Sequence, residues 1–325
     1  MRRVRGPPGL AKSIARYLSH QRALGRSYTA VEYVLDQLLR FIVKRKADDL
    51  TAPVYARWCK RQQHLSSNTL RGRQYVVRKF CLYRRRSEPQ CFVPHLPFAK
   101  PIPYIEPVLI TESHIARMLE VTDALPVSST SPLQPAVMRM AVVLLYSAGL
   151  RRGELVRLHL GDVDARSGVL RIGESKFHRS RLVPLSRDAH RELRDYLRRR
   201  LVKPYDQRPD APLLFNTHGA ACRGYTGAGI AQAINRIIVQ ADVHDDEGRR
   251  PRVHDARHSF ALQALIRSYR RGEDVQTQLP KLALYMGHVS IVSTAYYLRF
   301  VPEVAALASR RFGQTFSRLI DEGAS

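Results

Sequence analysis

Four segments hold the residues of this 325-residue chain whose types suit chemistry on an anionic ester. AGLRRGELVRLHLGDV (148–163) puts Arg151 just past a glycine at a helix–helix corner, with Glu154 one turn later. GESKFHRSRLVPL (173–185) carries Lys176, His178 and Arg179 at what reads as a turn, and HDARHSF (254–260) carries His254 and Arg257. MGHVSIVSTAYY (286–297) carries His288 and, nine residues on, Tyr297. A planar guanidinium offers two parallel hydrogen bonds to paired oxygens of an anion where an ammonium is a point charge. An imidazole with a pKa of about 6.5 exchanges protons near neutrality. A tyrosine hydroxyl is a nucleophile once a neighbouring group takes its proton. Cleaving a phosphodiester needs these parts: a nucleophile, cations to hold charge on the non-bridging oxygens, and an acid for the leaving oxygen. Each segment alone is unremarkable, since a Gly-then-Arg corner is commonly a helix C-cap and a tyrosine on an apolar helix commonly packs.

Together, in this order and at these spacings, the segments resemble the tyrosine recombinase (phage integrase) family, in its simple two-domain form without an additional arm-binding domain. The resemblance is specific over residues 108–315 and reaches residues 8–86 only in their being a short helical domain. It implies that Tyr297 attacks phosphorus to form a 3′-phosphotyrosyl bond, with Tyr296 beside it as the alternative nucleophile. It implies that Arg151 and Arg257 clamp the non-bridging oxygens, that His254 exchanges a proton with the tyrosine, that Lys176 is the general acid, and that His288 donates a hydrogen bond to the phosphate. Glu154 would orient Arg151 from behind. The fold implied is mainly α with a small β-hairpin or sheet: a two-domain DNA clamp in which a helical core-binding domain joins a tyrosine recombinase catalytic domain. The partner implied is a double-stranded DNA recombination site, bound by a homo-tetramer on two duplexes with partner recombinases possible, and the reaction needs no cofactor.

The elements that must position these groups follow from hydrophobic period and punctuation. Helices are expected at 9–24, 27–46, 51–63 and 66–86, with Val31, Val34, Leu35, Leu38 and Leu39 forming a core stripe and Ser27 and Thr51 as N-caps. Six prolines between Pro89 and Pro107 read as an extended linker, giving a DNA-binding domain at 1–88, a linker at 89–107 and a catalytic domain at 108–325. Beyond it, helices are expected at 111–121, 136–147, 152–158, 186–201, 226–241, 255–271, 276–286, 292–298 and 303–320, with strands at 168–173 and 181–185 forming a hairpin. In the family the last helix commonly docks on a neighbouring protomer. A polar insert near Ser268–Thr277 looks long for the family and reads as an enlarged loop or contact surface.

Charge supplies the partner independently of the motifs. The chain has 54 Lys+Arg against 28 Asp+Glu, a net of +26. Residues 1–105 hold 22 of the bases and 5 of the acids, a net of +17, and residues 106–325 hold 32 and 23, a net of +9. Such an excess is rewarded by counterion release from a phosphate backbone. Arg71, Arg73, Arg78 and Lys79 on the fourth expected helix, with His178 and Arg179 on the hairpin, are the candidate DNA contacts. Trp58 and the tyrosines of the first domain read as core rather than base-stacking groups. Cys59, Cys81, Cys91 and Cys222 form no C-x-x-C pair, and His114, His159, His178, His190, His218 and His244 stand singly, so no metal site is expected. The longest apolar stretch, 140–150, is too short to span a membrane, and a cytoplasmic protein is expected. Three rival functions stand beside mobile-element integration or transposition: resolution of chromosome or plasmid dimers, a type IB topoisomerase, and a DNA-binding accessory protein without catalysis.

Overall fold

The computed structural model describes residues 8–25, 28–95, 98–102, 105–129, 131–173, 180–218 and 221–287. The chain divides into two units, Met1–Ile105 and Glu106–Ser325. Helices dominate both, with small antiparallel sheets in the second. Among the described residues no helix is long and apolar enough to cross a membrane.

Among the described residues the first unit has four helices: α1 (Pro8–Ala23), α2 (Thr29–Lys44), α3 (Ala52–Lys60) and α4 (Ser67–Arg84). Leu35, Leu38 and Ile42 of α2 pack with Leu10, Trp58, Val77 and Phe80, all buried. Ser66 caps α4 by accepting from the Thr69 amide, whereas Thr51 precedes α3 without a side-chain cap. The buried Arg84 at the end of α4 binds both oxygens of Asp49 (2.5 and 2.9 Å) and Glu88 (2.8 Å). Ser13 of α1 also donates to Glu88, so one ionic knot ties three parts of the unit.

The proline-rich stretch, expected as an extended linker, is fastened along α4. Pro94 O accepts from Arg78 and Ala99 O from Arg71 (3.2 Å). The Ala99 amide donates to Gln74 and the Ile102 amide to Asn68, each at 2.9 Å. A stretch rich in proline is short of amides but keeps every carbonyl, which makes it a natural acceptor for a basic helix.

The second unit is built on α6 (Gln134–Ser147), apolar nearly all round and enclosed by α5 (Glu112–Asp123), α8 (Arg187–Arg200), α9 (Gly227–Gln240) and α10 (Asp255–Arg270). The short α7 (Arg152–Leu155) follows α6, and α11 (Val275–Met286) packs on α10. β1 (Val163–Asp164), β2 (Val169–Ile172) and β3 (Arg181–Pro184) form an antiparallel sheet in that order, with Ile172 opposite Arg181. β4 (Phe215–His218) and β5 (Ala221–Gly224) form a separate hairpin that the sequence reading missed. Its segments, FNTH and ACRG, lack the β-branched alternation that marks a strand. The gap between the helices expected at 255–271 and 276–286 is just as short in the fold, residues 271–274 between α10 and α11, and Glu273 draws it in by accepting from Ser268 (2.6 Å) and Arg271 (2.7 Å).

Candidate active site

The corner after α6 is set by Gly149, at φ +58°, where an added Cβ would lie 2.5 Å from the Phe260 ring. Only glycine satisfies both the left-handed backbone and the close approach. The chain then turns so that Arg151, extended at φ −70°, precedes α7. Glu154 reaches back to the Arg151 amide (2.9 Å) and accepts from its Nη1 (2.7 Å). Arg151 Nη2 donates to Gly287 O at 2.8 Å.

Glu154 is 3% exposed and also takes a fork from Arg181, Nη1 to Oε1 at 3.0 Å and Nη2 to Oε2 at 2.8 Å. Burial alone would raise its pKa. The Arg181 fork, the Arg151 amide and the Arg151 side chain outweigh that and hold it at about 2. Arg181 Nε donates to Tyr285 O at 2.7 Å.

Arg257, on the first turn of α10, is 1% exposed and donates from Nη1 to Gly149 O and from Nη2 to Met286 O, both at 2.5 Å. Arg181, Arg257 and Arg151 therefore take three consecutive carbonyls, those of Tyr285, Met286 and Gly287, at the C-terminal end of α11. Cations are favoured there, where the last carbonyls of a helix lack intrahelical partners and the dipole is negative.

His254 precedes α10 and stays exposed, its ring 4.8 Å from that of His258 in an edge contact. Its pKa lies below the ordinary imidazole value, first through lost hydration and then through Arg257; Asp255 pulls the other way, and Arg151 and Arg252 add smaller pushes downward. His258 is pushed further, to about 4, by burial and by His254. Asp255 is buried and anchors Arg252 through its amide (2.9 Å) and Nη2 (3.0 Å). A cleft of about 640 Å³ beside this cluster is lined by Arg151, Arg152, Asn235, Arg250, Arg252 and His254.

Of the residues picked from sequence, the structure gathers Arg151, Glu154, His254 and Arg257. Lys176, His178, Arg179, His288 and Tyr297, with the helices expected at 292–298 and 303–320, lie outside the described residues, as does Ser27. Met286 and Ala256 are buried packing residues. Arg257 departs from the simple expectation of an open phosphate clamp, since backbone carbonyls enclose it. Arg181 was read only as a strand residue. The sequence carried no clear signal for it, since Leu182 and Val183 are both apolar; in the fold Arg181 shares the inward face of β3 with buried Val183 while Leu182 is exposed.

In the first unit the candidate DNA contacts divide. Arg71 and Arg78 bind the 94–99 carbonyls, and Arg73 donates to Gln62 at 2.5 Å with its guanidinium 5.8 Å from the Tyr33 ring. Lys79 is exposed and lies 4.7 Å from the Tyr75 ring centroid. Trp58 is core at 3% exposure, but Tyr33 and Tyr75 are corrections to the core reading, at 51% and 52% exposed.

Comparison with known proteins points the same way as the geometry. The model of the phage integrase family matches residues 109–303. The putative integrase/recombinase y4rB of Sinorhizobium fredii (strain NBRC 101917 / NGR234) is 31% identical over 311 residues, covering 92% of this chain and 96% of its own. The tyrosine recombinase XerC of Pelotomaculum thermopropionicum is 33% identical over 178 residues, 52% of each chain. The Tn1549 transposon integrase, solved in complex with circular intermediate DNA, shares the fold with a TM-score of 0.62 at 16% identity, over 89% of this chain and 94% of that one.

Proposed function

The chain belongs to the phage integrase family, the tyrosine recombinases, and we propose that this site-specific recombinase serves the integration or transposition of a mobile DNA element through a 3′-phosphotyrosyl bond to Tyr297. The observation that carries the chemistry is the convergence of Arg257 and of Arg151, itself held by Glu154, on one helix end beside His254. The mobile-element role rests on the relative matched over nearly its whole length, an integrase/recombinase by name, whereas the Xer recombinase matches over half.

In the proposed reaction the Tyr297 hydroxyl gives its proton to His254, which is neutral because its pKa is depressed, and attacks phosphorus. The bond to the 5′-oxygen breaks, and that oxygen takes a proton from Lys176. Arg151, half-exposed, holds one non-bridging oxygen, His288 donates to the phosphate, and Arg257 meets the second oxygen when DNA is bound. Attack by another strand's 5′-hydroxyl reverses the step and frees Tyr297, so the phosphoester energy is conserved. The first unit, at net +17, binds the flanking duplex, with Lys79 and the exposed Tyr75 at its surface and His178 and Arg179 of the hairpin near the cut. Four copies on two duplexes complete the exchange.

The test is covalent capture. Wild type and Tyr297→Phe are incubated with a duplex pool whose central segment is randomised and nicked, so that the released 5′-hydroxyl fragment escapes and the adduct accumulates. An adduct resistant to denaturation, present only with wild type, is expected, and sequencing the captured DNA names the site. An adduct that persists in Tyr297→Phe makes Tyr296 the nucleophile. No adduct with either protein leaves a DNA-binding accessory protein. A captured site lying in a chromosomal dimer-resolution locus rather than at element ends overturns the mobile-element role.

A further inference from the structure

Arg181 is 8% exposed in its side chain and lies where three parts of the second unit meet. It opens β3; its terminal nitrogens fork onto Glu154 of α7; its Nε holds Tyr285 O at the end of α11. The fit is close. Gly287 adopts φ +65°, and a Cβ there would come within 2.8 Å of Arg181 Nη1, so the backbone of α11's end is packed directly on this guanidinium.

Both groups that Arg181 holds go on to hold Arg151. Glu154 accepts from Arg151 Nη1, and Gly287 O accepts from Arg151 Nη2. Without Arg181, Glu154 loses two of its four donors, and the last turn of α11 loses the contact against which Gly287 is seated. Lysine cannot substitute, because one ammonium cannot supply the fork to Glu154 and the separate Nε donor together.

We propose that Arg181 is a positioning residue for the recombination reaction, fixing the Arg151 guanidinium through Glu154 and the end of α11. It never meets the DNA. Its influence reaches the scissile phosphate only through the charge that Arg151 presents. The inference rests on the recombinase reading above, and it predicts a dependence that a merely structural arginine lacks: its effect disappears when the phosphate no longer needs a cation.

The experiment uses the full chain and the duplex captured from the randomised pool, resynthesised with either a phosphodiester or a neutral methylphosphonate at the cleaved step. Initial rates of strand cleavage are measured at saturating DNA, with affinity measured separately. Arg181→Lys is expected to slow phosphodiester cleavage about 100-fold, the scale set by small misplacements of a catalytic group, with DNA affinity unchanged. On the methylphosphonate most of that loss is expected to vanish. Glu154→Gln, close in shape to the native residue, cuts the same link from the other side and is expected to show the same pattern, which keeps the idea testable if Arg181→Lys does not fold. Equal losses on both substrates, losses explained by weaker DNA binding, or Arg181→Lys cleaving as fast as wild type would each overturn the proposal while leaving the recombinase reading intact. A wild type that forms no adduct defeats the recombinase reading, and this inference falls with it.

Discussion

Replacing Glu154 by glutamine should destabilise the second unit by about 3 kcal/mol at pH 7, and the loss should depend on pH. The carboxylate titrates at about 2 in the folded protein. Against an unfolded value near 4.3 and at about 1.4 kcal/mol per pKa unit, the difference is worth about 3 kcal/mol. An independent route agrees in size: breaking a buried ion pair by removing one partner costs about 3–5 kcal/mol, because it leaves the other charge buried. Here the stranded group is Arg181, 8% exposed. For a unit of roughly this size, 3 kcal/mol corresponds to a fall of about 6–12 °C in the melting midpoint. The folded pKa is depressed, so the stabilisation is present above the unfolded value and is lost as pH falls through the folded one. Scanning calorimetry of the full-length wild type and Glu154→Gln should therefore show a gap that is constant from pH 7 to about 5, narrows below about 4.5, and approaches zero near pH 2. A gap below about 2 °C at pH 7, or one that persists undiminished at pH 3, would refute the electrostatic account.

The remaining predictions concern DNA binding and proton transfer. Lys79→Gln removes an exposed cation and should weaken binding to unrelated duplexes while reducing the slope of log affinity against log salt by about 1. Arg78→Gln instead removes the donor to Pro94 O and should lower the melting midpoint of the first unit more than it changes that slope; the reverse pattern in the two variants would show that the 94–99 segment is not held by these arginines. Because the His254 pKa is depressed, adduct formation at subsaturating DNA, which reports the free enzyme, should be flat around pH 7 and fall on acidification with a midpoint below about 6.5. A midpoint above that value, or one unchanged in His254→Asn, would remove His254 as the proton acceptor.

How far the sequence carried these conclusions depended on the range of the signal. Helices with a clear apolar period, such as α2 with Val34, Leu35, Leu38 and Leu39, were legible to within two residues at each end, because local pattern and tertiary burial ask for the same residues. The short β4–β5 hairpin was not, since its pairing is imposed by the surrounding unit rather than by strand-forming side chains. At the site, types and spacings identified Arg151, Glu154, His254 and Arg257. Apart from the pairing of Glu154 with Arg151, they were silent on what those residues hold, because the partners are backbone carbonyls, which every residue carries. The bonds of Arg257 to Gly149 O and Met286 O span 108 and 29 residues. Arg71 and Arg78 show the same limit: a basic helix suggests a nucleic-acid face, and only the fold reveals that the chain's own carbonyls compete for it.

That use of neutral acceptors has an electrostatic consequence. If each arginine at the site were fixed by its own carboxylate, the ion pairs would cancel the charge the reaction draws on. Instead one carboxylate, Glu154, is shared by Arg151 and Arg181, and bonds from Arg151, Arg181 and Arg257 also go to the uncharged carbonyls of Gly149, Tyr285, Met286 and Gly287. Three positive charges against one negative leave this hydrogen-bonded set positive; Arg252 and Asp255 cancel alongside, and Arg152 and Arg250, which line the same cleft, add to the positive side. A phosphodiester brings one negative charge, and attack by a tyrosinate brings a second as five oxygens gather on phosphorus. Positive charge held in place before DNA arrives meets that second negative charge as it forms, and stabilising the transition state beyond the ground state is what accelerates a reaction. The carbonyls at the end of α11 hold the arginines without neutralising them, which is how a site can be rigid and strongly positive at once.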